Sequence, residues 1–68
     1  MSTREDRVYT SVVCAMQNAK ENGYDEELSK LTDNELADDL QTCDADLERE
    51  LRKDVIDAVK RFRAANAA

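Results

Sequence analysis

The chain has no proline, no histidine, no tryptophan and a single glycine. One glycine cannot build a Gly-rich phosphate loop, which excludes the P-loop and dinucleotide-binding fingerprints. Without histidine, the usual general base and the common neutral metal ligand are both missing. Beta architectures need turn residues at short intervals and aromatic, β-branched strands; with no proline and 4% aromatics this chain supplies neither. Cys14 and Cys43 permit at most one disulfide and form no C-x-x-C, so they make a weak secreted framework and are expected as reduced thiols of an intracellular, cytoplasmic protein. No apolar leader follows Met1, and no segment approaches the roughly 18 apolar residues of a membrane span.

What is present is helix-forming. Ala, Leu, Glu, Arg, Lys and Asp dominate the 68 residues. Ser2-Thr3-Arg4-Glu5 fits a capping box, with Ser2 or Thr3 as cap and Glu5 reaching back. Val8, Val12, Ala15, Met16 and Ala19 then form one helical stripe, widened by Tyr9 and Val13, and Asn22-Gly23 supplies a left-handed stop. Helix 1 is therefore expected over about residues 3–22. Residues 23–32 read as a connector with a helical turn near Glu26–Lys30, its Tyr24, Leu28 and Leu31 spaced to close over the core. Thr32-Asp33-Asn34-Glu35 repeats the capping box and opens helix 2, about 33–42.

From Leu36 through Leu40, Cys43, Leu47, Leu51, Val55, Val59 and Phe62 the apolar period never slips. One continuous helix over 33–64 is compatible with that pattern. Thr42, Asp44 and Asp46, however, compete with helix through local hydrogen bonds and favour a break near Thr42–Asp44. Helix 3 is then about 44–64, with Leu47, Leu51, Val55, Ala58, Val59 and Phe62 inward and Cys43 filling a core gap. Glu48→Arg52 and Asp57→Arg61 are spaced as i, i+4 ion pairs, the basic last turn suits the helix dipole, and Ala64–Ala68 reads as a frayed tail. The fold class is all-α: a single-domain three-helix bundle over 1–68, or a hairpin of two long helices. Cores in chains below roughly 70–80 residues rarely supply more than about 3–5 kcal/mol, so covering a helix face with a second copy, as a dimer, is expected.

Sixteen acids face ten bases, and they are not spread evenly. Residues 1–24 are neutral, residues 51–68 carry +3, and residues 25–50 hold eleven carboxylates against Lys30 and Arg49, a net −9. This balance argues against direct binding of nucleic acid or an anionic membrane, both of which call for a basic patch. Asp44-Ala-Asp46-Leu-Glu48 begins like a calcium loop, but Arg49 occupies the turn-glycine position and Val55 the closing acid position, so no metal is expected. Asp38-Asp39 are neighbours on a helix with nothing to desolvate them, and no cation is placed to activate either thiol. No catalytic residue and no cofactor are expected, and the chain is read as a non-enzymatic binding protein. The candidate site is the acidic band Asp25, Glu26, Glu27, Glu35, Asp38, Asp39 and Asp46, and its expected partner is a basic surface of a protein. The plain alternative is that the acids only keep a small helical protein soluble, while its apolar faces do the work as an oligomerisation or antitoxin-like regulatory module.

Leu36-Ala-Asp-Asp-Leu40 followed by Asp44-Ala-Asp-Leu-Glu48 resembles segments of small acidic helical accessory proteins of bacteriophages and mobile elements. That class includes the anti-CRISPR inhibitors. The resemblance covers about residues 32–50 and implies an inhibitor that presents carboxylates to the lysines and arginines of a host nuclease complex; the acidic band itself is also compatible with a DNA mimic that imitates phosphate spacing.

Overall fold

A computed structural model describes residues 3–67, and every described element is helical. The order is α1 (Arg4–Glu21), α2 (Asp25–Ser29), α3 (Asp33–Cys43), α4 (Ala45–Glu48) and α5 (Arg52–Asn66).

Thr3 caps α1, its hydroxyl accepting from the Asp6 backbone N–H at 3.1 Å. Asp6, not Glu5, stands at the third helical position, and its carboxylate accepts from Arg61 at 3.2 Å. Ser2, the other candidate cap, lies outside the described residues. Helix α1 ends in a Schellman turn: Gly23 N–H donates to Lys20 O at 3.1 Å and Tyr24 N–H to Ala19 O at 2.8 Å. Gly23 takes φ +81°, a conformation that costs an L-residue roughly 1–2 kcal/mol. Helix α3 opens on a complete capping box, in which Glu35 N–H donates to the Thr32 hydroxyl and the Glu35 carboxylate accepts the Thr32 N–H at 2.9 Å.

The core gathers the inward face of every helix: Val8 and Val12 from α1, Leu28 from α2, Leu36, Ala37 and Leu40 from α3, Leu47 from α4, and Val55, Ala58 and Val59 from α5. Helix α5 packs on both α1 and α3 and is the spine of the bundle. Among the described residues no buried polar or charged residue interrupts the core. The Cα radius of gyration is 11.0 Å, close to the ~11 Å expected for a compact chain of this length.

The helix expected over 44–64 is two helices. Asp44 is extended and caps α4, accepting from Asp46 N–H at 2.9 Å; after Glu48 the chain turns, and Leu51 is extended again before α5. Leu51 is consequently 52% exposed rather than inward, while Leu47 and Val55 are fully buried. The unbroken Leu47–Leu51–Val55 period conceals this corner because its cause is tertiary. Gln41 on α3 donates its side-chain amide to Leu47 O at 3.1 Å and Glu50 O at 2.7 Å, tying both carbonyls of the corner to α3. Arg52 then bonds Gln41 Oε1 and pairs with Asp38 at 2.7 Å. At the other end α5 runs to Asn66, past the expected fraying point, and Asn66 Nδ2 donates to Phe62 O.

The expected local pairs Glu48–Arg52 and Asp57–Arg61 do not form. Arg52 reaches Asp38, and Arg61 reaches Asp6 at 3.2 Å while stacking 4.0 Å over the Tyr9 ring. Arg4 bridges Glu50 and Asp54, and Arg63 pairs with Asp33. Arg4, Arg52, Arg61 and Arg63 link segments distant in sequence, a role that spacing along one helix does not report.

Candidate binding groove

Along α1 the side chains shrink from Val8 and Val12 to Ala15 and Ala19, with Asn18 and Asn22 beside them. Ala15 and Ala19 pack only partly against the core and leave space beside the helix. The Schellman turn places Tyr24 at the end of this trough, and α2 then turns Leu28 inward and Glu27 outward. From the opposite side, the last turns of α3 contribute Asp39, Leu40 and Cys43, and Asp44 follows as the chain leaves the helix. Together these residues enclose an open groove of about 550 Å³, within the range of ~300–1,000 Å³ typical of binding pockets.

The apolar part of the lining is Ala15, Ala19, Leu28 and Leu40. Every charged residue that lines the groove is an acid, namely Glu27, Asp39 and Asp44. Among the described residues none of these three forms an ion pair. The paired cations Arg4, Arg52, Arg61 and Arg63 are committed elsewhere, to Glu50, Asp54, Asp38, Asp6 and Asp33. Tyr24, 56% exposed, stands at the rim instead of closing over the core, and Cys43 is an exposed thiol at the groove edge rather than a core filler. Cys14 is likewise free and exposed.

The structure distributes the acidic band over several environments. Glu27 and Asp39 share the groove; Asp25 and Glu26 precede Glu27 on α2, and Asp46 follows Asp44 on α4. Asp38, one position from Asp39, points to the α5 side and is held by Arg52, which also reaches Asn34. Glu35 is taken up by the α3 cap, and the backbone N–H and hydroxyl of Thr32 hold its carboxyl below the ordinary 4.5. Asp44, Tyr24 and the alanines of α1 were not legible as site residues. The available signal was the change from valine to alanine along one helix stripe, which reads equally as tight packing. Among the described residues no group of three or more His, Cys, Asp or Glu is placed to hold a metal, and no helix is long and apolar enough to cross a membrane.

Compared with known protein families, curated proteins and solved structures, the chain matches none of them.

Proposed function

We propose that this protein is a non-enzymatic binding module that engages a basic surface of another protein through the carboxylates of α2, the end of α3 and α4. One observation carries the reading: the groove between α1, α2 and α3 is lined by Glu27, Asp39 and Asp44 with no base among its walls. Uncompensated charge of one sign raises the local potential, steers an oppositely charged partner and speeds association. A surface that binds nucleic acid is the commonest dense array of lysine and arginine, so occupying one, and thereby inhibiting the complex that carries it, is the role we assign. The resemblance of residues 32–50 to small phage-encoded inhibitors points the same way.

The test separates recognition from folding. Asp38 and Glu35 support the fold through Arg52 and Thr32, so reversing them would confuse the two. Glu26→Lys, Glu27→Lys, Asp39→Lys and Asp46→Lys together change carboxylates that take no part in any ion pair among the described residues. In a low-salt capture from host lysate followed by a salt step, the native chain should retain a nucleic-acid-binding protein that the reversed chain, of equal helicity, does not. Addition of the native chain should then displace nucleic acid from that protein. Equal capture by both chains sinks the proposal.

A second reading is favoured by one feature only. Leu51 is a large aliphatic side chain turned to solvent at the α4–α5 corner. Self-association through that corner would make the chain an oligomerisation module, with the acids serving solubility.

A further inference from the structure

Resting on the charge reading above, we infer that the α1–α2–α3 groove is the seat for a basic polypeptide segment that inserts one bulky apolar side chain. The acids alone would suit any cation. The floor narrows the choice, because Ala15, Ala19, Leu28 and Leu40 offer nothing for a hydrated ammonium and much for an aromatic or branched aliphatic group. Tyr24, half exposed at the rim, presents a flat ring that covers an inserted side chain or stacks on a neighbouring guanidinium. Glu27, Asp39 and Asp44 reach the groove from α2, α3 and the start of α4, and among the described residues no three such side chains gather closely enough to hold a metal ion. That distribution matches a strand of basic residues flanking an anchor better than it matches a single small cation. The exposed large apolar side chain at the mouth, an apolar floor and a wholly acidic set of charged walls are thus complementary to one ligand chemistry: bases on either side of one hydrophobe.

The probe is a short lysine-rich peptide with one central tryptophan, set against the same peptide with serine in its place. The protein contains no tryptophan, so the anchor's emission is read without background. The tryptophan peptide should bind with a blue-shifted emission, and calorimetry should show the serine peptide weaker by about tenfold or more. Ala19→Leu, which fills the floor at a helical position, should erase that preference while leaving salt-sensitive binding of both peptides. Tyr24→Ser, at an exposed site, should reduce the preference without touching the core and serves if the leucine variant misfolds. Equal binding of the two peptides to the native chain overturns the groove assignment and leaves the charge reading standing. Failure of both peptides to bind at low salt overturns both. Self-association of the native chain that Ala19→Leu abolishes would make the occupant a second copy, and overturns the inference as well.

Discussion

At the scale of single residues, Arg63 does the most to hold the chain's connections in place. Its guanidinium donates to Asp33 Oδ1 at 2.7 Å, to Leu31 O at 2.7 Å and to Leu28 O at 3.2 Å. Leu28 O, at the end of α2, also accepts from Leu31 N–H at 3.2 Å, and Leu31 O lies in the link into α3, so Arg63 ties this connection to α5. A planar fork can serve several acceptors at once, and a lysine ammonium on a flexible stem cannot reproduce its geometry. Arg63→Lys should therefore lower stability by about 1–2 kcal/mol in chemical denaturation although the charge is kept. An unchanged midpoint would show that the bonds are replaced by water at no cost. The sequence placed Arg63 in a basic last turn and explained it by the helix dipole; its true acceptors lie some thirty positions upstream, beyond the reach of any local rule.

At the scale of elements, the caps of α1 and α3 make the bundle sensitive to acid. Arg61 first, then Thr3, hold the Asp6 carboxyl below its ordinary 3.8, and Thr32 holds that of Glu35 below 4.5. A carboxyl whose folded value is depressed adds stability above its ordinary value and loses it as pH falls through the lower, folded one. The thermal midpoint should accordingly be level from neutral pH down to about 4.5 and then decline, and Asp6→Ala with Glu35→Ala should flatten the decline. An identical acid slope in that variant would assign the loss to other groups. The side-chain caps Thr3–Asp6 and Thr32–Glu35 each join residues three apart, which is why the starts of α1 and α3 were legible from sequence. The α4–α5 corner was not. It contains neither glycine nor proline, its apolar period is intact, and it is fixed by Gln41 from another helix. The groove was hidden for the same reason, since it is the space left where alanines of α1 face α2 and α3.

On the scale of the whole molecule, two large apolar side chains are exposed among the described residues, Tyr24 and Leu51. They serve different purposes in the two readings of function. Val55, fully buried, is unsuitable for testing assembly, because a charge there would unfold the bundle before it reported on a partner. Leu51→Glu should fold with unchanged helicity. If copies meet at the α4–α5 corner, the native chain sediments as a dimer and Leu51→Glu as a monomer. A native chain that remains monomeric across concentration removes the oligomer reading and leaves the acidic groove as the working surface.

The separation between the groove and the ion-paired faces also bears on how such a chain changes over generations. Glu27 and Asp39 are held by no arginine and cap no helix, and the core beneath them is aliphatic with no directional bonds to rebuild. Substitutions at the groove lip therefore change its charge without drawing on the small stability reserve of a 68-residue fold, and under the proposed function they change which partner it suits. A lineage under pressure to follow a changing target can rewrite those letters one at a time, each intermediate remaining a folded protein.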